Sequence, residues 1–230
     1  MRRIHLPQFT SASWFPAPLK TMVDEFLQGF IAKIGADKPF LPLIHEAMEQ
    51  APNKQLVDIR AEIGSGIPGL VEHIREQGWT YESTDNWNPH LQRGGVVVVA
   101  SGFHRLNPQQ ARQWLQSMVD QDQTVLVLEG NNNNWWQAVG MLVFVPLSVL
   151  LISPIIKPFR MGRMLFTYLL PILPIVICLD GVMALFKLYG PKDLAEVAEG
   201  VSSEDMAWGS GKMDNGRGGK IMYLIGYQSA

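Results

Sequence analysis

A single cysteine, Cys178, stands in a chain of 230 residues. One thiol excludes a disulfide framework and a multi-thiolate zinc site, and it suits a reducing compartment. Charge is scarce as well. Asp, Glu, Lys and Arg make up 17% of the chain, against roughly a quarter in an average soluble protein. Apolar residues make up 47%, which excludes an extended disordered chain. The formal net charge of −2 leaves no basic footprint, so no nucleic-acid partner is expected. No apolar run follows Met1-Arg2-Arg3, because His5, Pro7 and Gln8 intervene. No secretory signal is read there, and the chain is expected to start in the cytoplasm. The sequence also lacks a Ser/His/Asp arrangement, a metal-ligand spacing and a Walker-type glycine loop.

What charge there is falls into three zones. Residues 1–129 carry 11 basic and 14 acidic side chains, net −3. Residues 130–190 carry Lys157, Arg160, Arg163 and Lys187 against Asp180, net +3. Residues 191–230 carry 4 basic and 6 acidic side chains, net −2. A basic, very apolar middle thus lies between two acidic flanks. There is no internal repeat and one low-complexity patch, Asn131 to Asn134.

The first zone alternates helix and strand. Leu19, Met22, Val23, Phe26, Leu27, Phe30 and Ile31 recur at three- and four-residue spacing, which predicts an amphipathic helix over 15–34. Further helices are expected over 41–50, 67–77 and 107–120, the last with Asn107 as cap and Pro108 in its first turn. Strands are expected at Leu56–Ile59, Trp79–Thr84, Val96–Val99 and Val125–Leu128. The four consecutive valines are the strongest of these signals, because β-branched runs suit a strand buried on both faces. Such alternation indicates βαβ units around a parallel sheet. A helix over 191–200 and a glycine-rich hairpin loop over 209–219 complete the pattern.

On such a sheet, ligands are expected at the C-terminal ends of the strands. Three of those ends are marked. Glu62-Ile63-Gly64-Ser65-Gly66 precedes a helix, and glycine there lets the backbone turn tightly and approach a ligand. Asp85 follows Glu62 by 23 residues, where an acid accepts hydrogen bonds from a ribose. Ser101-Gly102-Phe103-His104 closes the third. Two registers are open for the first end. The preferred one runs the strand to Glu62; the other ends it at Asp58, with Arg60 where a glycine belongs.

These residues resemble class I S-adenosylmethionine-dependent methyltransferases. Glu62 to Gly66 looks like their first motif, Asp85 like the acid ending their second strand, and Val96 to Leu106 like their fourth strand and its turn. Val125 to Glu129 resembles the fifth strand. Asp205–Trp208 with Lys220–Tyr227 resembles the closing antiparallel hairpin. The resemblance implies a cofactor role for Glu62, Gly64, Gly66, Asp85 and Ser101. The glycines would lie against the methionine part, and Asp85 would hold the ribose hydroxyls. His104 is the one nearby side chain for a proton-abstracting role, should the acceptor need one. The chain departs from the family between Asp85 and Val96, where ten residues replace the third strand and a second acid.

The middle zone leaves three readings open. Gly130 to Ile156 has no charged residue, and Met164 to Leu179 adds 16 more uncharged positions. Each run is long enough, or nearly so, to cross a hydrocarbon layer of roughly 30 Å. A spanning hairpin, however, would place Lys157, Arg160 and Arg163 outside, against the positive-inside tendency, and Pro146, Pro154, Pro171 and Pro174 interrupt both runs. Two other arrangements keep the chain on one side: a lid over the sheet, or helices in the cytoplasmic leaflet with the three cations on anionic headgroups. Trp135-Trp136 suits either core packing or an interfacial anchor. Some methyltransferase-like proteins carry a similar insertion, which Ile155–Arg160, Leu165–Pro171 and Leu179–Gly181 resemble.

The expected fold is a three-layer Rossmann-like α/β domain, with N-terminal helices over 1–50. The domain takes 51–130 and 188–230, and an apolar helical pair is inserted over 131–187. The expected function is methyl transfer from S-adenosylmethionine to a small apolar acceptor, in the cytoplasm or on its membrane face. Two alternatives stand beside it. One is a non-catalytic relative that binds a partner or a lipid. The other is an integral membrane protein with a helical hairpin at 135–187.

Overall fold

A computed structural model describes residues 8–89, 91–130, 135–201, 205–216 and 219–229, with backbone alone for 135–137. Helix α1 (Ala17–Ile34) stops at Gly35, which takes the left-handed conformation at φ 59°. Helix α2 (Leu41–Gln50) leads to strand β1 (Gln55–Ile59), helix α3 (Val71–Glu76) and strand β2 (Thr80–Thr84). Strand β3 (Val96–Ala100), helix α4 (Pro108–Val119) and strand β4 (Thr124–Glu129) follow. Three apolar helices come next, α5 (Trp135–Ile152), α6 (Met161–Met164) and α7 (Ile172–Leu185). Helix α8 (Pro191–Glu199) and strands β5 (Met206–Asp214) and β6 (Lys220–Gln228) close the chain.

The six strands form one mixed sheet in the order β2-β1-β3-β4-β6-β5. The first four are parallel, and β6 runs antiparallel to both β4 and β5. Alternation along the valine strand explains the architecture. Val96, Val98 and Ala100 pack with Ile44 and Ala47 of α2 and Ile74 of α3. Val97 and Val99 pack with Trp114 and Leu115 of α4 and Val197 of α8. One strand thereby serves two cores, so every side chain of β3 is buried. The protein is an α/β fold compatible with a Rossmann-like arrangement. Strand β2 ends the sheet with a largely exposed TYEST sequence, and Glu82 in it discourages pairing along that edge.

Three expectations about elements are corrected. Strand β1 stops at Ile59 and does not reach Glu62, because the Ala61 N–H folds back onto the Ile59 carbonyl at 3.0 Å. The Asp58 register is therefore the one adopted. Helix α3 begins at Val71, since the Ile67 and Gly69 N–H groups donate to Asp58 and Asp37 (3.0 and 2.6 Å) and 68–70 form a turn closed by the Leu70 N–H on the Ile67 carbonyl. The glycine-rich stretch after Trp208 is strand as far as Asp214, paired to Lys220. Gly211 lies opposite Tyr223, and a Cβ there would stand 2.8 Å from the tyrosine oxygen. The missing side chain leaves room for the ring.

A third core joins the apolar helices to α1. Val23 and Phe26 of α1 pack with Val149 of α5, Ile156, and Leu173 and Ile177 of α7. Among the described residues one helix, Ala138–Ile155, is long and apolar enough to cross a membrane, and 11% of it is buried. Met161–Leu169 and Ile172–Leu185 qualify together but are bent by 78°. The Asn131–Asn134 patch and the side chains of Trp135 and Trp136 lie outside the described residues.

Candidate functional site

The C-terminal ends of β1, β3 and β4 meet at one buried imidazole. Ser101, at φ 57°, turns the chain after β3 so that His104 points back over the sheet end. The His104 backbone N–H donates to Glu129 Oε1 at 3.0 Å, and its Nδ1 lies 3.1 Å from the same oxygen. Its Nε2 lies 3.2 Å from Glu62 Oε1. His104 is 2% exposed and Glu129 1%. Burial alone would push the imidazole pKa down. The two carboxylates, Glu129 first, outweigh it and raise the pKa to about 10. His104 is thus held as an imidazolium at neutral pH, with its Nδ1–H donating to Glu129 and its Nε2 facing Glu62.

The turn between β1 and α3 is shaped from below by Asp58. Its Oδ2 accepts the Ile67 N–H at 3.0 Å and the Tyr81 hydroxyl at 2.8 Å. Burial raises the Asp58 pKa, against the lowering effect of these donors. From above, α1 closes the turn. Asp24 accepts two hydrogen bonds from Arg60 at 2.7 and 2.8 Å and one from the Gly64 N–H at 3.2 Å. Gly64 and Gly66 both sit at positive φ, 76° and 98°. A Cβ on Gly64 would stand 2.6 Å from Leu27 Cδ1, and one on Gly66 2.7 Å from Asp58 Oδ2. Arg105 is no free surface charge: it donates to the Ala61 carbonyl at 2.5 Å and lies 3.9 Å from Glu62.

Two concavities flank this centre. An inner cavity of about 400 Å³ is walled by α1, α5 and α7, and Glu62, Gly64, Gly66, Ser101, His104 and Glu129 line its floor. An outer groove of about 1070 Å³ runs between the ends of β1 and β2, lined by Asp24, Arg60, Glu62, Asp85, Trp87 and Arg105. Of the five residues expected to hold a cofactor, four therefore share the inner cavity. Asp85 lies in the outer groove, and Glu62 borders both. Glu129 and Asp24 escaped the sequence reading. Glu129 was findable by the rule applied to Asp85, an acid ending a buried strand. Asp24 carries no such signal, because its partners lie 36 and 40 residues away.

The residues do not fit the amino-acid end of S-adenosylmethionine. Asp85 and Glu62 face a common groove, as diol recognition needs. The glycine turn, however, is packed against Leu27 and Asp58, and Asp24 already holds the Gly64 N–H that a cofactor carboxylate would seek. As a set they do not fit the cofactor. The chain matches no protein-family model and no curated protein.

The cations expected on headgroups are mostly engaged elsewhere. Arg160 binds Glu25 of α1 through Nε and Nη2, at 2.5 to 2.9 Å. Arg163 is fully buried, donates to the Ile156 and Pro158 carbonyls, and lies 3.5 Å from Glu25. Among the described residues, Lys157 alone of the three remains exposed without an ion pair. Asp180 of α7 accepts the N–H groups of Phe9 and Thr10 at 2.7 and 2.9 Å, tying the N-terminal turn to α7.

Proposed function

We propose that this protein is a three-layer, Rossmann-like domain of the class I methyltransferase type that binds a small apolar molecule without methyl-transfer chemistry. The helical segment between β4 and α8 serves as an inserted lid. One observation carries this reading: the cavity of about 400 Å³ between that lid and the ion trio of His104, Glu62 and Glu129. Its volume falls within the range of small-molecule sites, about 300–1,000 Å³, and its walls are the apolar side chains of α1, α5 and α7. The trio supplies fixed polar groups at one end, which orients an amphiphilic guest.

Nile red, a neutral apolar dye, tests the cavity. Ser148→Phe, which fills it from α5, is expected to lower dye affinity at least tenfold while Leu151→Glu, on the outer face of the same helix, leaves that affinity unchanged. Equal affinity in the wild type and Ser148→Phe would refute the proposal.

Methyl transfer is the second reading, favoured by the groove that Asp85 and Glu62 share. It requires Asp24 and Leu27 to withdraw from the glycine turn. Isothermal titration of the wild type with S-adenosylmethionine is expected to give no saturable heat; a saturable signal abolished by Asp85→Ala would put the second reading first.

A further inference from the structure

We infer that α5, α6 and α7 form an in-plane membrane-docking face, on which the protein lies on one leaflet without crossing the bilayer. Of the 17 large apolar side chains exposed among the described residues, 15 come from residues 139–175. Phe144, Leu151, Met161 and Leu169 are 67, 68, 74 and 74% exposed. Together the 15 present on the order of 1,000 Å² of apolar surface, against roughly 300–600 Å² for the largest patch on an ordinary soluble monomer.

The chemistry of the face selects lipid over a protein partner. Protein interfaces carry about one hydrogen bond per 100–200 Å² and a polar rim. Here residues 138–156 and 164–179 contain no Asp, Glu, Lys or Arg. The Tyr168 hydroxyl is already bound to the Leu150 carbonyl, and Thr167 and Ser153 are buried facing each other. A protein surface laid on this face would find almost nothing to bond, whereas acyl chains need nothing. The border is of the interfacial kind: Lys157 is exposed at the tip. Trp14, 69% exposed, packs edge-on against Phe9 and Phe15 beside the third core.

The geometry decides between lying on the bilayer and crossing it. Helix α5 has 18 residues and is about 27 Å long. Near its start, Ala138 and Met141 pack against the cluster of Leu185, Leu188 and Met222, the last being the register partner of Glu129 at the end of β4. Beyond its far end, Arg160 is held by Glu25, next in sequence to Asp24, which binds Arg60 and Gly64 at the end of β1. The start of α5 and the segment that follows its end are thus both tied, the latter through α1, to the side of the sheet where the parallel strands end. A hairpin tip held there does not reach the far side of a layer roughly 30 Å thick. The helix lies along the surface, as interfacial helices do.

Flotation of the full chain with phosphatidylcholine vesicles, with and without phosphatidylglycerol, tests this inference. The wild type is expected to float with both, more tightly with the anionic ones. The double variant Leu151→Glu/Leu169→Glu is expected to lose at least tenfold in vesicle affinity with its Nile red binding intact, so this result stands apart from the cavity's. Lys157→Ala is expected to lose about fivefold, on the anionic vesicles alone. Labelling of Lys157→Cys on sealed vesicles by an impermeant maleimide in the outer medium is expected to proceed, while buried Cys178 in the parent stays unlabelled. Three results would overturn the inference. One is a wild type that floats with neither vesicle. The second is a tip protected from the outer maleimide. The third is a wild-type dimer in vesicle-free buffer that the double variant makes monomeric while neither floats, which would assign the face to a second copy of the chain.

Discussion

His104 holds the end of the sheet together by charge, and that has a signed consequence with pH. Its folded pKa of about 10 lies above the ordinary 6.5, so the folded state binds the proton more tightly than the unfolded chain. The stabilisation is complete below pH 6.5 and is lost as pH rises through about 10. The wild type should therefore lose more thermal stability between pH 7 and pH 10 than His104→Gln, measured by scanning calorimetry at both values. Equal losses would mean that the trio is not the source. At constant neutral pH, His104→Gln leaves buried Glu129 beside Glu62 with no cation between them, Arg105 reaching Glu62 alone. It is expected to cost about 3–5 kcal/mol in urea unfolding, as removal of one member of a buried ionic set does. A loss under 1 kcal/mol would show that the trio is effectively solvated.

Among the elements, those read correctly from sequence carry their signal locally. Helix α4 is bounded by its own residues. Asn107 accepts the Gln110 N–H at 2.9 Å, and the Gln110 side chain accepts the Asn107 N–H at 3.0 Å. Its buried positions Ala111, Trp114, Leu115 and Met118 follow at helical spacing. Asn107→Ala is expected to lower stability by about 1 kcal/mol, with Asn107→Asp retaining most of it, as read by the urea midpoint. The elements misread are those whose limits are set from a distance. Glu62-Ile63-Gly64 imitates a strand end, whereas the bond that stops β1 is the one from the Ala61 N–H to the Ile59 carbonyl in the turn that follows. Glycine weakens a strand taken alone, so the sequence ends β5 at Trp208, whereas the Tyr223 ring that occupies the space at Gly211 comes from β6. The candidate site divides in the same way. Glu62, Ser101 and His104 were legible as strand ends, while Asp24 and Glu25 acquire their roles only when α1 is laid across them.

Helix α1 links two parts of the molecule that otherwise meet at a small cluster, Leu185, Leu188 and Met222 with Ala138 and Met141. Through Asp24 it grips the turn after β1, and through the adjacent Glu25 it grips the tip of the lid. The two cores on the sheet faces contain no residue of α5 or α7, and the core beneath the lid contains none of the central strands β3 and β4. Such a division predicts two levels of local stability. Glu25→Ala removes the counter-ion of buried Arg163 and releases Arg160, so it acts first on the lid. Amide hydrogen exchange measured by mass spectrometry should speed up at least tenfold across 141–185, with Val96–Ala100 and Thr124–Glu129 unchanged. The complementary variant Asp24→Ala should speed exchange in 60–66 and spare 161–169. If Glu25→Ala instead accelerates β3 and β4 as much as the lid, lid and sheet open as one unit, and α1 is part of a continuous core rather than a clasp between two.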